Sequence, residues 1–123
     1  MSIKNALSGW WHVIRTQQNA WLHAIATVFV VLMAIWLKLP RRDWAILVLP
    51  IAMVWTAEFL NTALEIVVDL ASPDLHPMAR AGKDVGAAAV LIAATTAAIV
   101  GLLVMGPPFF EKVKILLQSL GIT

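Results

Sequence analysis

Residues 58–69 read Glu58-Phe59-Leu60-Asn61-Thr62-Ala63-Leu64-Glu65-Ile66-Val67-Val68-Asp69, inside an apolar run that begins at Trp44. On a helix turning about 100° per residue, Glu58, Asn61, Glu65 and Asp69 fall within roughly an 80° arc. Val54, Trp55, Leu60, Leu64, Ile66 and Val67 occupy the other faces. A charged group at a bilayer centre costs roughly 2.5–3.5 kcal/mol on insertion scales. A membrane helix that keeps an aligned stripe of such groups points to a site. The plainer alternative puts Glu65 and Asp69 at the membrane surface and makes Glu58 a hydrogen-bonded core residue. The alignment on one face argues against it.

Working outward, composition sets the class. The chain of 123 residues is 61% hydrophobic and 13% charged, with a mean hydropathy of +0.86. Soluble domains carry about 25% charged residues, so this is expected to be an all-α integral membrane protein. The absence of cysteine rules out a disulfide framework and a thiolate metal site. A net charge of +2 gives no reason to expect a nucleic-acid partner.

On the N-terminal side, Leu7, Trp10, Trp11 and Ile14 recur on one helical face. An amphipathic surface helix is expected over residues 3–18, with its tryptophans at headgroup level. Three spans are expected at about 20–38, 43–70 and 83–106. Trp36 and Trp44 flank the first turn, where Pro40 stops one helix and Asp43 is the expected N-cap of the next. Pro50 is a candidate kink. Ser72-Pro73 reads as an N-cap followed by proline at the first helical position. The third span is rich in alanine and glycine from Gly86 to Ala98, which lets helices approach closely. Such a helix belongs among others, in an oligomer. Pro107-Pro108 is expected to end it, leaving residues 107–123 as a C-terminal interfacial amphipathic helix beside a membrane domain of residues 1–106.

With three spans in this order, Gln17, Glu65, Asp69, Lys83 and Asp84 share one membrane face. Oxygen donors without thiolates or a histidine cluster suit Mg²⁺. A neighbouring lysine suits a polyphosphate. Glu58 lies about two turns deeper, where a lipid headgroup can sit, and is a candidate general base. No P-loop and no protein-kinase motif set is present. His12, His23 and His76 have no metal-ligand spacing, and His23 is expected to have a hydrogen-bonded packing role. The basic residues near the two membrane faces are balanced, so charge alone does not orient the chain.

The run from Glu58 to Asp69, with His76-Pro77, Ala81-Gly82-Lys83-Asp84 and Gly86-Ala87-Ala88-Ala89-Val90-Leu91, resembles the prokaryotic diacylglycerol kinase family, which includes the undecaprenol kinases. The resemblance covers roughly residues 6–106. It implies a homotrimer with composite active sites in the bacterial inner (plasma) membrane. It also implies phosphoryl transfer from Mg·ATP to a lipid hydroxyl at the cytoplasmic face. Carried over by motif, Glu58 would be the catalytic base and Glu65 the Mg²⁺ ligand. Asn61, Lys83 and Asp69 would position phosphates, and Asp84 would sit near the nucleotide. Some members have a metal-binding glutamate where this chain has Gln17, which would ligate Mg²⁺ through its amide oxygen or contact the nucleotide. A small proton-coupled transporter using Glu58, and a non-catalytic assembly subunit, are the competing classes.

Overall fold

The computed structural model describes residues 2–122. Met1 and Thr123, the outer bounds of the two expected segments, lie outside the described residues. The fold is all-helical: α1 (Ile3–Thr16), α2 (Gln18–Trp36), α3 (Arg41–Ala71) and α4 (Pro77–Ser119). The last three are long and apolar enough to cross a membrane. Their outward faces carry exposed Phe29, Leu49, Leu60, Ile92 and Leu102. In water such surface would collapse; in a bilayer it faces lipid or another helix.

Ser2 caps α1, its hydroxyl accepting from the Asn5 N–H at 3.3 Å. Helix α1 ends because Gln17 adopts an extended conformation, and α2 starts directly after it. The surface helix is therefore joined to the first span through a single residue. It is held back on α3 by aromatic packing. The Trp10 ring lies 5.1 Å from Trp55 and 4.6 Å, edge-on, from Phe59.

The α2–α3 turn is closed by the Leu39 N–H donating to the Ala34 carbonyl, with Lys38 in the left-handed region at φ 52°. Leu39 is thereby turned inward to pack with Ala34 and Leu47, beneath Val104 and Met105 of α4. Pro40, not Asp43, is the N-cap of α3, and Asp43 lies in its first turn. There its carboxylate favours the positive helix end. Pro50 is buried and the helix continues through it.

The main packing surface joins α3 to α4. Leu47, Val54, Glu58 and Thr62 are buried on α3; Gly86, Val90, Ala93 and Gly101 are buried on α4. Ser72-Pro73 does not open a helix. The start lies at His76, whose Nδ1 accepts from the Met78 N–H at 3.1 Å, with Pro77 as the first helical residue. The capping device is the expected one, moved four residues along the chain because an imidazole can accept as a serine hydroxyl does.

A second correction concerns the C-terminal segment. Helix α4 does not end at Pro107-Pro108 but runs 43 residues to Ser119. The C-terminal amphipathic stretch is thus a continuation of the third span. It is tied to the end of α2: the Phe109 ring lies 6.2 Å from Trp36, and Lys112 donates to the Trp36 carbonyl with its ammonium 4.6 Å from that indole centroid. Two prolines remove two backbone bonds, and beyond them this aromatic and cation–π contact holds the helix end against α2.

Each aromatic pair of the Trp10 contact contributes about 0.5–1.5 kcal/mol beyond its area. Trp10→Ala is therefore expected to release α1. Limited proteolysis should cut within residues 3–16 faster than in the parent protein, while the unfolding temperature of the α2–α4 bundle stays unchanged.

Candidate functional site

The polar stripe of α3 is observed as a graded series from the bundle interior to the surface. Glu58 is innermost, 1% exposed, and Thr62 beside it is 2% exposed. The Thr62 hydroxyl donates to the Glu58 backbone carbonyl at 2.9 Å, which satisfies the threonine within its own helix. The Glu58 side chain turns instead to α2, where its Oε2 lies 3.3 Å from Nε2 of His23.

One turn further out, the Asn61 Nδ2 donates to Glu65 Oε1 at 3.3 Å. That amide orientation is forced, because the reverse would set oxygen against carboxylate. Asn61 Oδ1 is buried with no hydrogen-bond partner among the described residues. It faces Gly86 of α4. A Cβ built on Gly86 would come within 2.4 Å of that oxygen and 2.9 Å of Leu64 Cδ2. The missing side chain at Gly86 is what lets α4 lie against the Asn61–Glu65 pair.

At the outer end, Lys83 of α4 reaches Asp69 of α3 at 2.5 Å. Both side chains are well exposed, so the pair adds little stability and can exchange partners readily. Next to it, at the α3–α4 connection, Asp69, Asp74, His76, Arg80 and Lys83 line a surface cleft of about 310 Å³. Arg80 and Lys83 are three residues apart on α4 and present two cations to it.

Of the residues singled out from the sequence, the structure brings Asn61 to Glu65 and Lys83 to Asp69, while Glu58 turns to α2. Gln17 is half-buried at the α1–α2 break and makes no capping bond; Asp84 is exposed. Neither is hydrogen-bonded to Glu65, Asp69 or Lys83 among the described residues. Sequence reasoning missed two participants. Arg80 was readable from its i, i+3 relation to Lys83. His23 was assigned a hydrogen-bonded packing role; its place beside Glu58 depends on how far α2 and α3 slide past each other, which no local pattern encodes.

The oxygen donors described on the outer part of the stripe are the carboxylates of Glu65 and Asp69, and they suit a hard cation. No group of three or more His, Asp or Glu side chains gathers as a metal cage among the described residues. These residues fit Mg²⁺ of the kind held by one or two carboxylates and carried by substrate phosphates.

The sequence pattern of the prokaryotic diacylglycerol kinases matches residues 4–105. The chain belongs to the prokaryotic diacylglycerol kinase family. It is 38% identical over 106 residues to the undecaprenol kinase of Bacillus subtilis, covering 86% of each chain. It is 39% identical over 112 residues to a diacylglycerol kinase of Synechocystis, covering 90% of this chain and 64% of that one. With a diacylglycerol kinase of Escherichia coli K12 the identity is 36% over 75 residues, 61% of this chain and 62% of the other. The family match contains every residue of the stripe and stops just before Pro107-Pro108, so the outer end of α4 lies beyond it.

Gly86 supplies the direct test of this geometry. Gly86→Val is expected to force α3 and α4 apart or push Asn61 off Glu65, lowering stability by about 1–3 kcal/mol, as overpacking does. Gly82, with nothing within 4 Å of its Cβ position, is the control. Gly82→Ala should leave the thermal unfolding midpoint in detergent unchanged or slightly raised.

Proposed function

We propose that this protein is an ATP-dependent lipid kinase that transfers the γ-phosphate of Mg·ATP to the hydroxyl of a membrane lipid, diacylglycerol or undecaprenol. The observation that carries the reading is the position of Glu58. It is a carboxylate sealed among apolar helices, at the inner end of a polar series that runs out to a cation-lined cleft. A lipid hydroxyl arrives from the apolar end and a nucleotide from the wet end.

In this reading Glu58 is the catalytic base. The acceptor oxygen attacks the γ-phosphorus, its proton passes to Glu58, and the bond to the β,γ-bridging oxygen breaks to release ADP. Phosphoryl transfer asks chiefly for alignment and charge neutralisation. Lys83 and Arg80 meet the phosphates from the cleft, with Lys83 exchanging Asp69 for the nucleotide. Glu65, oriented by Asn61, would hold Mg²⁺ together with Gln17, and Asp84 would flank the nucleotide. When bound, Mg²⁺ would neutralise negative charge on the phosphate oxygens as the bond from the γ-phosphorus to the bridging oxygen breaks.

The nucleotide end faces the cytoplasm of the bacterial inner membrane, where ATP is available. The protein works as a homotrimer whose sites are completed by a neighbouring protomer. A groove of about 550 Å³ along α3 and α4, lined by Ala57, Leu60, Asn61, Gly86, Ala89 and Ala93, supports such packing. A proton-coupled transporter built on Glu58 would leave the Lys83–Asp69 end without a role.

The test is transfer of labelled γ-phosphate by purified protein in detergent–lipid micelles, with diacylglycerol and undecaprenol offered in parallel, with and without Mg²⁺. Mg²⁺-dependent labelling of one lipid is expected, and labelling of neither by a folded, trimeric protein would overturn the kinase reading. Glu65→Gln and Lys83→Ala are each expected to remove most turnover while the oligomer persists on size exclusion. Glu58→Gln should retain nucleotide binding and lose transfer, by roughly 10²–10⁴-fold if general base catalysis is what is lost.

A further inference from the structure

The Glu58 carboxylate cannot orient itself. Its helix offers it nothing, since Thr62 is spent on the backbone carbonyl. Glu58 Oε2 and His23 Nε2 are both buried, and neither makes a hydrogen bond among the described residues. They lie 3.3 Å apart, within ion-pair distance but not aligned as a formed hydrogen bond. An unpartnered carboxylate at this depth is strongly disfavoured, and a small turn of the neighbouring imidazole supplies the missing partner.

His23 is itself held from two directions. The Thr27 hydroxyl donates to the His23 carbonyl at 2.7 Å and accepts from the Trp55 indole N–H at 3.1 Å. The Trp55 ring stands edge-on to the imidazole with centroids 6.3 Å apart. Trp55 precedes Glu58 by about one helical turn, so one stretch of α3 supplies both the clamp on His23 and the group His23 contacts. Away from Glu58 the histidine lines an apolar cavity of about 180 Å³ with Thr27, Leu47, Val54, Ala97 and Gly101. Apolar walls strengthen a hydrogen bond that is made and raise the cost of one that is lost.

We propose that His23 is a positioning residue for the phosphoryl transfer: from 3.3 Å away its Nε2–H turns onto Oε2 of Glu58 in the working complex and fixes the carboxylate so that its other oxygen receives the acceptor's proton. The inference rests on the reading of Glu58 as the base. The imidazole is not consumed; it keeps its proton throughout, and the proton of the lipid hydroxyl goes to Glu58 alone. A non-titrating N–H donor of similar reach therefore substitutes for it, which separates positioning from acid–base action by the ring.

The experiment compares His23→Leu, which fills the space without a donor, with His23→Gln, which restores an N–H, in the micelle phosphorylation assay. His23→Leu is expected to lower kcat roughly 100-fold, the scale of a misaligned reacting group, with KM for Mg·ATP unchanged. His23→Gln is expected to recover most of that loss. In the double variant His23→Leu/Glu58→Gln, turnover should fall no further than in Glu58→Gln alone, as for residues acting as one unit. Parent-level kcat in His23→Leu, no recovery in His23→Gln, or additive losses in the double variant would overturn the positioning role while leaving the base assignment standing. Parent-level turnover in Glu58→Gln would instead remove the base reading itself. Should the variants fail to fold, nitrogen NMR of the unaltered protein decides. The chain's three histidines can be labelled and assigned through His12→Gln and His76→Asn, and a His23 Nε2 without a proton would overturn the proposal.

Discussion

The site depends on how near the backbone of α4 can come to α3 at Gly86. With no Cβ there, the Asn61 amide and the Leu64 methyls occupy space that any other residue would claim. Three consequences follow from that approach. Asn61 is confined with its NH₂ towards Glu65. Lys83, less than one turn before Gly86, is brought level with Asp69. Val90 and Ala93 continue the contact inward alongside Glu58 and Val54. In a bilayer the hydrophobic effect does not draw helices together, so close packing and internal polar pairing carry the assembly. The small residues of α4 and the polar stripe of α3 are two sides of one arrangement.

Along that stripe, the neighbour of each carboxylate changes with depth. Glu58, sealed from water, is matched to His23 across the α2–α3 contact. The half-buried Glu65 has an amide from its own helix. Asp69, most of it in solvent, has a mobile ammonium. The closest of the three pairs is the outermost, at 2.5 Å against 3.3 Å for the other two, while the cost of an unmatched charge rises with depth. This arrangement suits the proposed chemistry. The group that must hold one geometry is enclosed, and the groups that must release one partner to take another lie at the surface.

Much of this was legible in the sequence. Residue spacing put Glu58, Asn61, Glu65 and Asp69 on one face of α3, and the uncharged runs marked the spans. The Trp10 and Trp11 pattern marked a surface helix. The misreadings have physical sources. Pro107-Pro108 looks like a helix end because proline forfeits a backbone bond locally, but Phe109 and Lys112 are tied to Trp36, far away in the chain. Ser72-Pro73 and His76-Pro77 are both workable caps, and only the path of the connection selects the second. His23 was read as a hydrogen-bonded packing residue, and only the register of α2 against α3 names Glu58 as its neighbour.

The sequence by itself determined an all-helical membrane protein, its family and the identity of the stripe, because these follow from hydropathy, helical period and a long motif, all of which are local. Only the tertiary structure decided which stripe residue meets which neighbour: His23 with Glu58, Lys83 with Asp69, Gly86 beneath Asn61. Those pairings depend on the axial offset and separation of packed helices. The offset is a sum over many weak side-chain contacts, and no single residue or spacing carries it.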